Sequence, residues 1–412
     1  MRTLYTAGIY LYTLGVRIAS IWNAKAKQMC AGWKHLPDSI PQLSQGPTAW
    51  FHAASLGEFE QARPVLESFR VLHPDYNICI SFFSPSGFEI RKNYANADYI
   101  CYLPMDTRRN ARAFVQRIKP AVAFFVKYDF WFNYLNELHK RQVPTYIFSA
   151  IFRPSQYFFK WYGGWFRKQL GHYTHLFVQN DESLQLLRNH GISQCSVAGD
   201  TRFDRVNDIA QASKRFPEIE TFIGDSPVLM AGSSWEPDEA NIKYFLDNYP
   251  RELKLIVAPH VISDSHINAI EHLFGAERCI RYSQLKADTT PNKHKILIID
   301  NMGMLSSLYR YATVAYIGGG FGRGIHNILE AITFGKPVCF GPNHLKFQEA
   351  KDIIARKGGF AYHTAQELNI ILTRLFDDKE TYHHASQVCT DYLSENLGAT
   401  QQILNIVEQH RQ

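Results

Sequence analysis

The 412-residue sequence is poor in cysteine, the residue that staples small domains. Its 7 cysteines are scattered at positions 30, 79, 101, 195, 279, 339 and 389, odd in number and without a C-x-x-C pair. That spacing excludes a disulfide framework and a zinc site, and points to a reducing compartment. No Asp-x-Asp cluster or His/Cys set presents metal-ligand spacing, so no metal and no cofactor is expected. Internal repeats and low-complexity segments are also missing. The charge balance, 44 Lys+Arg against 38 Asp+Glu, leaves a net charge of +6. This is too weak to imply nucleic acid, though it suits an anionic substrate or membrane surface. An uninterrupted apolar run is lacking too. Thr3 to Val16 and Ile18 to Ala24 are uncharged, but Arg17 divides what would otherwise be a spanning stretch of about 20 residues.

What is present is a folded globular composition, 46% hydrophobic and 20% charged, long enough for two to three domains. The N-terminal segment, followed by Lys25, Lys27 and Lys34 with Trp22 and Trp33 nearby, admits three readings. It is an anchor or interfacial helix with a basic flank, a helix packed on the protein's own core, or a cleaved signal peptide. Beyond it, short apolar runs alternate with helical patterns. Strands are expected at 48–54, 77–83, 99–103, 121–126, 144–148, 174–178 and 195–198. A second set is expected at 228–231, 253–258, 295–299, 313–317 and 337–340. Such alternation predicts an α/β architecture of parallel sheets covered by helices on both faces. The polar stretch 204–227 separates two halves, and the last helices, about 380–410, have no strands left to pair with. Two doubly wound domains facing a cleft bind ligands at the carboxyl ends of their strands.

Two stretches lie at such ends. In "WFHAASLGEFEQARP" (50–64) an apolar run stops at Ser55-Leu56-Gly57, and Glu58 and Glu60 follow. Pro64, tolerated in a first helical turn, predicts a helix starting near Arg63 and leaves Glu58 in a loop. In "YIGGGFGRGIHNILEAITFGKPVCFGP" (316–342) five glycines follow a strand. A helix opening near Ile325 would place His326 and Glu330 on one face and offer N–H groups to an anion. The loop is neither a Walker A nor a good G-x-G-x-x-G fingerprint. The plainer alternative is a glycine turn followed by a solvated helix. A third stretch, "FRPSQYFFKWYGGWFRKQ" (152–169), mixes eight aromatics with four cations. It reads either as a membrane-edge or acyl-chain site with cations for lipid phosphates, or as a core helix with snorkelling Lys and Arg.

The blocks "HAASLGE" (52–58), "GDTRFD" (199–204), "DNMGMLSSLYRYATVAYIGGG" (300–320) and "GIHNILEAITFGKPVCFGP" (324–342) resemble, in order and spacing, those of the bacterial 3-deoxy-D-manno-octulosonic acid (Kdo) transferases. The resemblance extends over nearly the whole chain. It implies a GT-B glycosyltransferase of two Rossmann-like domains with an N-terminal membrane-associated helix (1–35). An acceptor-binding domain (36–205) and a CMP-Kdo-binding domain (206–380) would follow, with C-terminal helices (381–412) packing back on the first. The implied reaction moves Kdo from CMP-Kdo to the lipid A precursor, lipid IVA, at the cytoplasmic face of the inner membrane.

The same resemblance implies that Glu58 is the general base. Ser233, Ser234, Glu236, His260, Met302, Gly303, Gly318, Gly319, Gly320, His326, Asn327 and Glu330 would line the donor pocket. On the acceptor side it implies Ser55, Gly57 and Asp129, to which the aromatic–basic run adds Arg153, Lys160, Arg167 and Lys168. Three departures stand out. An acid pair reads Lys127 and Asp129, a Pro-Arg-His block reads Ala258-Pro259-His260, and Arg153 is displaced in "SAIFRPS". The rivals are another nucleotide-sugar enzyme on this fold, such as an epimerase, and a scaffold that binds nucleotide without turnover. For Glu58 itself the plainer role is to favour a positive helix start.

Overall fold

The computed structural model describes residues 1–34, 36, 40, 46–285 and 294–411. The chain divides into two compact units, residues 1–205 with 397–412, and residues 206–396. Each is built on one seven-stranded, wholly parallel sheet.

In the first unit the strands are β1 (Thr48–Ala53), β2 (Asn77–Phe82), β3 (Tyr99–Tyr102), β4 (Pro120–Val126), β5 (Thr145–Ala150), β6 (His175–Val178) and β7 (Cys195–Val197), in the order β3-β2-β1-β4-β5-β6-β7. Consecutive residues of a strand face opposite sides of a sheet. Trp50 and Phe125 accordingly enter one core, with Phe114, Tyr134 and Leu135, while Phe51 and Phe124 enter the other, with Phe59, Leu66 and Phe69. Because helices cover both faces, every residue of β1 is buried, and the sequence shows a continuous apolar run instead of alternation.

The final helix, Ala399–Gln409, returns to this unit and buries Ile403, Leu404 and Val407 in the second core. Each such side chain stabilises by about 1.5–3 kcal/mol. Asp204 fixes its start by accepting the N–H groups of Gly398 (2.8 Å) and Thr400 (2.7 Å). That gives the "GDTRFD" block a structural task. The preceding helix, Lys379–Asn396, belongs to the second unit. Helices Thr201–Gln211 and Pro217–Ile223 occupy much of the stretch read as a linker.

The second sheet contains β8 (Val228–Ser234), β9 (Lys254–Pro259), β10 (Cys279–Arg281), β11 (Ile296–Ile298), β12 (Val314–Ile317), β13 (Val338–Phe340) and β14 (Gly359–Ala361), in the order β10-β11-β9-β8-β12-β13-β14. All twelve strands expected from the sequence are present; β10 and β14, three residues each at the sheet edges, are additional. In both sheets the chain reverses direction across the sheet at one place, between β1 and β4 and between β8 and β12. Crevices at such switch points are the usual ligand sites of open parallel sheets.

The N-terminal helix Arg2–Ala19 lies along the first unit. Tyr5 donates its hydroxyl to the buried Asp106 at 2.6 Å, Arg2 bonds the Asn133 side chain at 3.1 Å, and the Tyr5 ring meets Phe132 edge-on. Its other face is bare: Leu4, Leu11 and Leu14 are exposed, and Ile21 just beyond is 81% exposed. Among the described residues no helix is long and apolar enough to cross a membrane.

Candidate active site

The strand-to-helix junction after β1 differs from the loop expected. Ser55 caps a helix that starts at Leu56, and the Glu58 N–H lies 3.4 Å from the Ser55 hydroxyl. Glu58 therefore sits in the first turn and Pro64 inside the helix. The lost hydrogen bond at Pro64 is tolerated because Phe59, Ala62, Val65, Leu66 and Phe69 bury that helix's inner face. The Ser55 hydroxyl also donates to the Glu58 carboxylate at 3.0 Å. Gly57 is exposed, and a Cβ there would meet nothing within 4 Å, so the approach over this turn is open.

Glu58 and Glu60 are sharply different. Glu60 is held by Arg63 (3.2 Å), Arg91 (2.6 Å) and Arg205 (3.1 Å). Despite burial, these three guanidinium groups lower its proton affinity. Among the described residues no guanidinium group pairs with Glu58. Burial raises its proton affinity, opposed in part by the Ser55 hydroxyl and by Lys127. Of the two acids, Glu58 is the stronger proton acceptor.

Across the switch point, the end of β4 delivers Lys127 and Asp129. Lys127 has φ +54°, a strained conformation for a non-glycine residue, and Ser149 in β5 has φ +52°. Asp129, expected on the acceptor side, is instead buried beneath the junction, where its Oδ2 accepts the Ala54 N–H at 3.0 Å. Next to it, Tyr128, Phe130, Arg153, Gln156, Tyr157 and Phe158 line an open pocket of about 280 Å³ between the segments that follow β4 and β5. The Arg153 guanidinium lies 5.9 Å from the Tyr128 ring centre.

The aromatic–basic run is not one helix. It forms a 3-10 turn (Tyr157–Phe159), then a short helix (Gly164–Leu170), tied together where Arg167 donates to the Phe158 carbonyl at 2.9 Å. Phe152 and Phe158 belong to the core, Trp161 is 94% exposed, and Lys168 is exposed. Arg167 is thus committed to local structure. Lys160 is half-buried.

In the second unit the candidate residues gather at the carboxyl ends of four neighbouring strands, β11, β9, β8 and β12. His260 follows β9 and stacks between Trp235 (centroids 4.8 Å apart) and His326 (4.3 Å). Burial and the neighbouring His260 lower the proton affinity of His326, which favours the neutral ring. Ser233 has φ +52°, and Met302, 88% exposed, precedes Gly303 at φ +91°. Ser234 is buried and spends its hydroxyl on Glu239 at 2.8 Å, while Glu236 is exposed at the start of the helix Glu236–Asn248.

The expected helix at Ile325 does not form. After Gly318-Gly319-Gly320 the chain turns irregularly until a single helical turn, Leu329–Ile332. His326 and Glu330 therefore share no helical face. The N–H groups of Gly318, Gly319, Gly322, Ile325 and His326 are spent on Gly232, Asp238, Gly319, Asn343 and Gly318. The helix start expected to offer N–H groups to an anion therefore does not lie at Ile325. What demands glycine is close approach: a Cβ on Gly318 would lie 2.1 Å from the Ser233 carbonyl oxygen, and one on Gly320 2.5 Å from Gly341. Glu330 is bonded by Asn327 at 3.1 Å, and burial raises its proton affinity.

Sequence reading missed Trp235 and Asp238. Trp235 closes the aromatic stack, and the only signal was its place between the serines and Glu236. Asp238 accepts from Gly319 N–H (2.9 Å), Trp235 N–H (3.0 Å) and the Tyr316 hydroxyl (2.7 Å), and so ties the glycine turn to the opposite strand end.

Residues 30–205 match the family model described as 3-deoxy-D-manno-octulosonic-acid transferase (kdotransferase). The 3-deoxy-D-manno-octulosonic acid transferase of Haemophilus influenzae is 23% identical over 372 residues, covering 87% of this chain and 86% of that protein. In fold, the UDP-GlcNAc 2-epimerase of Neisseria meningitidis superposes with a TM-score of 0.63 at 15% identity, covering 88% of this chain and 100% of that one. MurG of Acinetobacter baumannii gives 0.57 at 12% identity, covering 88% and 99%. The two likenesses show a GT-B-like fold and no more. The blocks read from the sequence lie on the strand ends described above, and the chain resembles the Kdo transferase family of glycosyltransferases through residues 30–205 and through relatives at 23–26% identity along most of its length.

Proposed function

We propose that this protein is an inverting glycosyltransferase that moves Kdo from CMP-Kdo to a lipid A precursor, with Glu58 as general base. The observation that carries the reading is the contrast at one helix start. Glu60 is neutralised by three arginines, whereas Glu58 is left with a raised proton affinity beside a strand switch point. Glu58 takes the proton of the acceptor hydroxyl while that oxygen bonds to the anomeric carbon. The bond to the phosphate oxygen breaks, and CMP leaves with the electron pair. The donor is assigned to the second unit, around the His260–His326 stack and the glycine turn, by resemblance to the Kdo transferases. The test is mass spectrometry of lipid IVA incubated with purified protein and CMP-Kdo generated in situ. A Kdo adduct supports the reading; turnover of UDP-sugars alone, or nucleotide binding without product, would replace it with an epimerase-type or scaffold role.

The acceptor is assigned to the Arg153 pocket, whose aromatic walls suit acyl chains and whose cation suits a phosphate. Arg153→Gln with Lys160→Gln should raise the KM for a bis-phosphorylated precursor about 3- to 10-fold, as expected for one or two charge-assisted contacts. The parent's acceptor KM should rise with salt, since exposed charges are screened over about 8 Å, and the variant's should rise less. Equal values and slopes would remove the pocket from the acceptor path.

The bare face of the N-terminal helix is assigned to the surface of the inner membrane, on its cytoplasmic side. Deleting the helix would also strip Tyr5 from the buried Asp106, so the informative change is on the outer face alone. Leu4, Leu11 and Ile18 replaced together by Gln should abolish flotation with anionic vesicles while leaving the melting temperature within a few degrees. Unchanged flotation would assign membrane contact elsewhere.

A further inference from the structure

Asp129 has no task in the reaction as described, yet it is buried beside the base. Its Oδ2 accepts the Ala54 N–H at 3.0 Å, and the next residue, Ser55, bonds the Glu58 carboxylate at 3.0 Å, so both carboxyl groups are held at one strand-to-helix junction. His52 Nε2 stands 3.6 Å from Oδ2, too far for a hydrogen bond. Burial lowers the His52 ring to about 3, so it is neutral and lends Asp129 no charge. The Tyr173 hydroxyl reaches the Asp129 backbone carbonyl, not the carboxylate. Lys127, the cation after β4, acts on Glu58 and on Asp200. Glu58 also receives the Ser55 hydroxyl at 3.0 Å. Among the described residues the Ser55 hydroxyl and Lys127 thus act on Glu58, whereas the Asp129 carboxyl is met by the Ala54 N–H.

We propose that Glu58 and Asp129 form a carboxylate pair that holds one proton at neutral pH, kept on Asp129, so that Glu58 alone carries the charge. This rests on reading Glu58 as the base. Two carboxylates in one desolvated place do not both ionise, and the less supported one keeps the proton. Burial and then Glu58 raise the Asp129 proton affinity well above the usual carboxylate range, which agrees. Asp129 is in this account a positioning residue. It keeps a second negative charge away from a donor that is itself anionic, and leaves Glu58 free to take the acceptor's proton.

The test uses the full-length protein. Infrared difference spectra of parent protein with isotope-labelled aspartate should show a protonated aspartic carboxyl band at pH 7, lost in Asp129→Asn. The stability of the variant supplies a second measurement. Asp129 in the folded state keeps a proton that the unfolded chain releases near pH 3.9. The parent therefore loses stability as pH rises above about 4, and Asp129→Asn, which cannot ionise, does not. The melting temperature of the variant relative to the parent should climb between pH 4 and pH 8. No carboxyl band in the parent at pH 7, or a variant that falls behind the parent as pH rises, would show an ionised Asp129 and overturn the proposal. Turnover by Glu58→Gln would dismiss the base but leave both Asp129 measurements standing, so the two failures are distinguishable.

Discussion

Glu58→Gln should lower turnover by about 10²- to 10⁴-fold, the usual worth of a general base, with folding and CMP binding little changed. Gln keeps the shape and accepts the Ser55 hydroxyl, but it cannot receive the acceptor's proton. The control is Glu60→Gln. Removing that charge releases three arginines, so the cost should fall on stability and leave the pH dependence of turnover intact. Product formation by Glu58→Gln within a few-fold of the parent would end the case for this base. A Glu60→Gln variant that folds but is dead would transfer the role.

Asp238→Ala should cost about 3–4 kcal/mol of folding stability, because it leaves the Gly319 N–H, the Trp235 N–H and the Tyr316 hydroxyl without their acceptor. Protein that still folds should use donor poorly, with a donor KM at least about 10-fold higher and an acceptor KM near that of the parent. Asp238→Asn retains an acceptor oxygen and should fall between the two. Denaturant melts and separate donor and acceptor titrations decide it. Loss of less than about 1 kcal/mol with normal donor KM would mean that the glycine turn holds its shape by close packing alone.

The alternation of apolar runs was legible because strands buried on both faces need no polar alternation, and twelve of them appear where the sequence places them. β10 and β14 escaped for the opposite reason: three-residue edge strands carry too few side chains to make a pattern. The helix boundaries were harder. Pro64 read as a helix start, but Ser55 caps an earlier one and the buried face from Phe59 to Phe69 outweighs one missing hydrogen bond. At Ile325 the error ran the other way. A helical spacing was present, but Asp238, Gly341 and Asn343 engage the glycine turn and hold the chain irregular as far as Leu329.

The sequence by itself determined the α/β class, the place of the strands and the family resemblance, since these rest on local periodicity and on blocks read in order. It also placed Glu58 and the glycine turn at strand ends. Only the tertiary structure decided which acid is available, because the arginines that neutralise Glu60 come from positions 63, 91 and 205, and a sequence does not say which distant cations converge. The same holds for Asp129, which is polar in the sequence and buried in the fold. It holds for Trp235, His260 and His326, which become one stack only when β8, β9 and β12 lie side by side. Burial and charge pairing are set by contacts between residues far apart in the chain, and those contacts determine proton affinity.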